Sequence, residues 1–327
     1  MGFLEQSIKH ATGALQIIEQ DCLQILWSGY GKILRFTLID GTINQTSIIV
    51  KYIQLPNERH HPRGWNTDIA HQRKLTSYQV ESNWYKNYNY QHDSHKIPKC
   101  FGVYQKDDER VIVLEDLDAS GFDSRLTNVN DSQIKQVIKW LACFHVAHLI
   151  EDRNNYSDLW NIGTYWHLKT RPDELEVLTD ITLKQAAVKI DRLLNECPVQ
   201  TLVHGDAKLA NFCFDLKNKN VAAVDFQYIG QGVGVKDLAY FLGSCLNDEQ
   251  CELYVYQYVD YYFEQINEAL KNSEKQNEQL ETLWRELFEL AWVDFQRFVK
   301  GWSPEHWKIN HFSEQLTKRV IRKIHGT

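Results

Sequence analysis

The 327 residues predict an α+β chain in two lobes: a small N-terminal lobe with an antiparallel sheet and one main helix, and a larger, mostly helical C-terminal lobe. Three observations carry that expectation. β-type runs bounded by glycine and charged turns fill the first third, apart from one helix-compatible stretch. Apolar residues at helical spacing dominate from residue 131 onward, and a single strand, loop and hairpin over 201–226 interrupts them. The length suffices for two cores, and 43% hydrophobic with 24% charged residues is ordinary globular composition rather than that of a disordered chain.

Residues 1–20, with Ile8, Leu15, Ile17 and Ile18, read as a short leading helix. Strands are expected over Cys22 to Trp27, Ile33 to Ile39 and Ser47 to Ile53, joined by Ser28-Gly29-Tyr30-Gly31 and by Asp40-Gly41. Two glycines between strands usually make a hairpin and nothing more, although backbone without a Cβ also lets N–H groups approach a phosphate. Lys51 sits inside the apolar run SIIVKYI, either as an edge-strand charge or as a cation held for use. A held cation needs a carboxylate, and the glutamates before the next strand are Glu58 and Glu81. Glu81 lies where Ile69, Leu75, Tyr78, Trp84 and Tyr85 recur at helical spacing, so it is taken as the partner rather than as a solvated surface charge. Residues 55–68, with His60, His61 and Arg63, read as a long polar loop. Strands over Cys100 to Gln105 and Arg110 to Leu114 run into Glu115-Asp116-Leu117-Asp118, after which the pattern turns helical.

Beyond it, Asp131 or Ser132 can cap a helix that buries Ile134, Val137, Ile138, Leu141 and Phe144. His145 and His148 follow at i, i+3 without further ligand-type residues, so packed histidines are expected rather than a metal pair. A helix over Leu183 to Glu196 leads to the stretch TLVHGDAKLANFCFDLKNKNVAAVDF, Thr201 to Phe226. Here a short strand delivers His204, Gly205 and Asp206 into a loop, Asn211 follows five residues after Asp206, and a hairpin returns the chain to Asp225. Two carboxylates and an amide converge. Asn211 and Asp225 offer hard oxygen ligands for Mg²⁺, which leaves Asp206 to orient a hydroxyl and take its proton and Lys208 to meet a phosphate as a point charge.

The spacing H-x-D-x-x-x-x-N followed one hairpin later by Asp225-Phe226 resembles the catalytic loop and D-F-G of kinases. H-G-D in place of H-R-D, and Asp237-Leu238-Ala239-Tyr240 without an A-P-E segment, resemble the aminoglycoside phosphotransferase and choline/ethanolamine kinase superfamily. LEDLDASGF, HGDAKLANF and VDFQYIGQGVGVKDLAYFL look most like its ecdysteroid-kinase-like (CHK-kinase-like) branch, over roughly residues 20–300. The resemblance implies a protein-kinase-like two-lobe fold, with 1–116 as the nucleotide-binding lobe and 117–327 as the catalytic and substrate-binding lobe. It implies ATP and Mg²⁺ as cofactors, and Asp206 as catalytic base with Lys208 beside it. Asn211 and Asp225 would be the magnesium ligands, Lys51 the nucleotide-phosphate lysine and Glu81 its ion-pair partner. Ser28, Gly29 and Gly31 would line the phosphates, although Leu34 stands where a third glycine is usual, and Glu115 and Leu117 would form the adenine hinge. Asp237 would brace the catalytic loop or line the substrate side.

The acceptor is expected to be a hydroxyl on a small molecule, because no activation and peptide-docking segment follows Asp225. Trp284, Trp292, Trp302 and Trp307 with Asp294 either form an aromatic box for a quaternary ammonium or belong to helix cores. The basic end TKRVIRKIHGT weighs against an aminoglycoside, and the aromatic content also suits an apolar alcohol. The alternatives are a catalytically silent kinase-fold nucleotide binder and an aminoglycoside phosphotransferase. A net charge of -7 weighs against a nucleic-acid partner. Seven scattered cysteines, an odd number with no C-x-x-C pair, point to free thiols in a reducing compartment. No signal peptide, myristoylation motif or membrane span is read, so a cytoplasmic location is expected; oligomeric state is left open.

Overall fold

A computed structural model describes residues 2–26, 29–54, 68–92, 94–275 and 277–326. In chain order its elements are α1 (Phe3–Thr12), β1 (Gln16–Ile25), β2 (Gly31–Ile39), β3 (Ser47–Gln54), α2 (Asp68–Asn87), β4 (Cys100–Lys106) and β5 (Glu109–Glu115). Then come α3 (Asp131–Ala147), α4 (Pro172–Glu176), α5 (Ile181–Asn195), β6 (Thr201–Val203), β7 (Phe212–Asp215), β8 (Asn220–Ala223) and β9 (Gly230–Gly232). The chain finishes with α6 (Val235–Cys245), α7 (Asp248–Lys271), α8 (Leu280–Trp302) and α9 (His311–His325). Packing divides it into two compact units, 1–125 with 213–224, and 126–212 with 225–327.

The first unit holds an antiparallel sheet in the order β1-β2-β3-β5-β4. Strand alternation assigns the two faces of β3. Ile48 and Val50 join Leu34, Phe36, Val111 and Val113 in a core that Ile8 of α1 covers, while Ile53 packs with Tyr78 of α2 and places Lys51 on that second face. The leading helix is shorter than the sequence suggests. It stops at Thr12 because Gly13 takes φ +65° as its C-cap, where a Cβ would stand 2.4 Å from the Thr42 hydroxyl, and Ile17 and Ile18 pass into β1. The turn joining β7 to β8 is held by Asp215, which accepts from Asn218 N (2.9 Å) and Nδ2 (2.7 Å). Cys213, Ala222 and Val224 of that hairpin pack with Leu117 and Phe122.

The second unit is helical apart from β6 and β9, which pair antiparallel with Val203 opposite Gly230. The start of α3 lies one residue earlier than the sequence indicates. Asn130 is the cap, accepting from Gln133 N (3.0 Å) while Gln133 Oε1 accepts from Asn130 N (2.9 Å), a reciprocal arrangement that Asp131 or Ser132 would not give with these partners. Helix α8 lies at the centre of the unit, with Trp284, Phe288, Trp292, Phe295 and Phe298 buried. All seven cysteines are free thiols. Among the described residues no helix is long and apolar enough to cross a membrane.

Candidate functional site

The β6–β9 pairing sets the loop after Val203 against the segment before Gly230, and one glycine makes the approach possible. Gly205 has φ +80°, and a Cβ there would stand 2.0 Å from the Tyr228 carbonyl oxygen. That accounts for H-G-D in this chain: no side chain fits at the middle position. The loop is held from α6, where the fully buried Asp237 accepts from His204 N (2.6 Å) and Gly205 N (3.0 Å). Of the two roles the resemblance offered for Asp237, these contacts match bracing. His145 bridges Asp237 Oδ2 (3.1 Å) and the Tyr262 hydroxyl (2.8 Å), as a satisfied core histidine does. His204 Nδ1 accepts from Asp206 N (3.2 Å), so its ring shapes the loop from within.

That scaffold leaves Asp206 asymmetric. Oδ2 accepts from Lys208 Nζ (2.9 Å) and Asn211 Nδ2 (3.0 Å), while the buried Oδ1 has no hydrogen-bond partner among the described residues. Leaving such an atom unmade costs about 1–3 kcal/mol, the kind of cost retained where a ligand supplies the missing proton. Lys208 is drawn down by burial and more than recovered by the charges of Asp206 and Asp225, so its pKa ends above the ordinary lysine value. Burial first and Asp206 after it push the Tyr165 phenol up against a lowering hydrogen bond with Tyr240, and burial, Tyr165 and Asp206 all push Tyr240 up, which keeps both hydroxyls protonated beside the carboxylate.

Asn211 also donates to the Asp206 carbonyl oxygen (2.7 Å), so its nitrogen is committed and its amide oxygen is the atom left for a cation. Asp225 sits at φ +69°, an uncommon conformation for a non-glycine residue, with Oδ1 accepting from Gln227 Nε2 (2.7 Å). An amide oxygen and a carboxylate are hard donors, and the pair fits Mg²⁺ by its chemistry.

In the first unit Lys51 Nζ lies 2.6 Å from Glu81 Oε2, with both residues nearly excluded from water and the ammonium 6.0 Å from the Tyr78 ring centroid. Gly29 and Gly31 shape the β1–β2 turn, in which Gly29 N donates to Leu26 O (3.0 Å) and Leu26 N to Gly31 O (2.8 Å). Gly31 is fixed by crowding, since a Cβ would meet the Tyr52 carbonyl oxygen at 2.0 Å. Ser28 and the loop residues His60, His61 and Arg63 lie outside the described residues. The Glu115 carboxylate is taken up by Lys96 Nζ (2.6 Å), Lys99 N (2.9 Å) and Ser120 Oγ (2.7 Å), and its own N–H by Lys99 O (2.8 Å). Burial raises its pKa and these partners lower it further, so it stays an anion that secures the segment after β5. Leu117 O accepts from Phe122 N (2.8 Å), and among the described residues nothing accepts from Leu117 N–H.

A pocket of about 390 Å³ opens onto Asp206 and Lys208 within the second unit, walled by Tyr165, Tyr228, Tyr240 and Trp302 and carrying Lys308. The tryptophan box is not assembled: Trp284 and Trp292 are core residues, and Asp294 is held by Arg297 (3.0 Å) and Trp166 Nε1 (3.1 Å). Tyr240 was within reach of sequence reasoning, one helical turn after Asp237. Tyr165, Tyr228 and Lys308 come from separate segments and carried no local signal.

No curated protein sequence matches the chain. Among solved structures it is similar to amicoumacin kinase in complex with AMP-PNP, Ca²⁺ and Ami, at 14% identity over 93% of this chain and 87% of that one with TM-score 0.48. It is similar to the ethanolamine kinase of Plasmodium vivax at 11% identity over 94% and 84% with TM-score 0.49, and to the choline kinase of Streptococcus pneumoniae at 10% identity over 100% of both with TM-score 0.41. The model of the ecdysteroid kinase-like family matches residues 30–158 and 164–275, and the protein belongs to that family.

Proposed function

We propose that the protein is an ATP- and Mg²⁺-dependent phosphotransferase that moves the γ-phosphoryl group to a hydroxyl of a small molecule. The observation that carries this reading is Asp206, fixed through Oδ2 by Lys208 and Asn211 while Oδ1 waits unpartnered beside an aromatic pocket. The acceptor hydroxyl donates to Oδ1. As its oxygen bonds to the γ-phosphorus, the proton passes to Asp206, the bond to the β–γ bridging oxygen breaks, and ADP leaves. Lys208 holds charge on the transferring group and keeps Asp206 in one rotamer. Asn211 and Asp225 would hold Mg²⁺, which when bound neutralises phosphate charge.

On the nucleotide side, 1–116 is the binding lobe in this reading. Lys51, held by Glu81, meets the α- and β-phosphates, the Gly29–Gly31 turn covers them, and Leu117 N–H pairs with adenine at the linker that Glu115 secures. Residues 117–327 supply catalysis and the acceptor pocket. The free thiols suit a reducing compartment such as the cytoplasm. The test is acceptor-stimulated ADP release across choline, ethanolamine, aminoglycosides, sugars and apolar alcohols. Release with any acceptor class supports the reading; Mg·ATP binding with no stimulation by any of them favours a silent nucleotide binder.

A further inference from the structure

The pocket beside Asp206 contains a cation that none of these roles uses. Lys308 stands between α8 and α9 with its backbone held on both sides, its N–H donating to His306 Nδ1 (3.2 Å) and its carbonyl accepting from Gln296 Nε2 (3.1 Å). The side chain is thereby aimed. Its ammonium lies 4.7 Å from the ring centroid of Tyr240, 5.1 Å from Phe295 and 5.6 Å from Trp307.

Other lysines of this unit that leave bulk water find carboxylates or backbone carbonyls, as the buried Lys236 does at Gly163 O (3.5 Å). Lys300 on α8 reaches Asp180 (3.0 Å) and Glu314 (2.6 Å), and Lys208 reaches Asp206 (2.9 Å). Among the described residues no carboxylate lies at ion-pair distance from Lys308 and no acceptor at hydrogen-bond distance. Burial draws its pKa down to about 8, with Asp206 opposing and Lys208 assisting. Of the charged residues that line the pocket, Asp206 is already matched by Lys208, so the charge left over is that of Lys308.

We infer that Lys308 selects the acceptor by charge, excluding alcohols that carry an ammonium group and holding those that carry an anionic group, such as a carboxylate, on a flat apolar frame. Tyr240 and Phe295, which line the pocket beside the ammonium, favour the flat frame by stacking contact. An anion supplies the partner the ammonium lacks, whereas a neutral alcohol leaves it unmatched and a cationic one adds a like charge in a site poor in water. The inference rests on the pocket being the acceptor site of the proposed phosphotransferase.

The experiment uses three alcohols with one frame: 4-(hydroxymethyl)benzoate, 4-methylbenzyl alcohol and 4-(hydroxymethyl)benzyl-trimethylammonium. Binding to the full chain is measured by ligand-observed NMR without nucleotide, and acceptor-stimulated ADP release separately. Wild type is expected to bind the benzoate at least tenfold more tightly than the neutral alcohol and the ammonium probe most weakly. Lys308→Met should bring the benzoate and neutral probes within threefold, Lys308→Arg should keep the order, and Lys308→Glu should invert it. Ratios within one protein are the readout, so a general loss of folded material does not imitate the result, and Lys308→Arg keeps the test open if Lys308→Met is unstable. No benzoate binding by wild type, equal binding of benzoate and ammonium probes, or an unchanged order in Lys308→Met overturns the inference. The charge order in binding with no ADP release from any probe would support Lys308 selection and count against phosphoryl transfer; release without the order would do the reverse.

Discussion

Asn211 donates through one nitrogen to both the carbonyl oxygen and Oδ2 of Asp206, at 2.7 and 3.0 Å. A single amide therefore closes the loop on itself, sets the carboxylate rotamer and turns its own oxygen outward. Asn211→Ala should lose two properties together. ADP release should fall by about 10²-fold or more, because an unheld base no longer meets the hydroxyl proton in line. The Mg²⁺ concentration for half-maximal release should also rise. A Mg²⁺ titration checks both, and a fall in rate with unchanged Mg²⁺ dependence would remove Asn211 from the ligand set.

Gly205→Ala should destabilise the protein by at least about 2 kcal/mol, because the new Cβ meets a backbone oxygen and the residue must keep φ +80°. Urea unfolding followed by tryptophan fluorescence measures it. A variant as stable as wild type would mean that the loop has another conformation available.

Lys51 and Glu81 form a buried pair, and breaking one is a stability experiment as well as a functional one. Glu81→Gln leaves a buried ammonium without its counter-charge and should cost about 3–5 kcal/mol, whereas the double variant Lys51→Met/Glu81→Leu should recover much of that cost. ATP affinity should not recover with it. Recovery of both would make the pair a packing feature.

The ammonium of Lys308 is faced by Asp206 and Lys208 of the loop after β6, by Tyr240 and Cys245 of α6, and by His306 of its own segment. With its pKa lowered from 10.5 to about 8, the folded chain binds fewer protons at this lysine than the unfolded chain between those values. Stability from this group is therefore full above about pH 10.5 and is lost as pH falls through about 8. Affinity for an anionic acceptor runs the other way and should weaken above about pH 8, since the deprotonated amine has no charge to offer. Lys308→Arg should show neither trend, which comparison of unfolding and benzoate binding between pH 7 and 10 will reveal.

What could be read from the sequence was what lies close together in it. Asp206, Lys208 and Asn211 fall within one short loop, so their chemistry shows in their spacing, and Lys51 stands out because a lysine breaks an apolar strand. Glu81 followed by elimination among few carboxylates. The pocket was not readable in this way. Tyr165, Tyr240, Trp302 and Lys308 meet only through the packing of α6 and α8, and the 3.6-residue period of an aromatic stripe is the same whether it lines a core or a cavity. Hence Trp284 and Trp292 could be proposed for a box they do not enter, while nothing in the sequence singles out Lys308. The start of β1 was missed for a different reason: Gly13 ends α1 through its φ, and apolar residues on both sides of it suit either element.

Asp206→Ala is to be compared with wild type, with Mg·ATP binding measured by calorimetry and acceptor-stimulated ADP release measured on the same preparations. Asp206 is proposed to act on the acceptor hydroxyl and not to hold the nucleotide, so Mg·ATP affinity should stay within about threefold while release falls by about 10²-fold or more. Release at the wild-type rate in Asp206→Ala would contradict the mechanism.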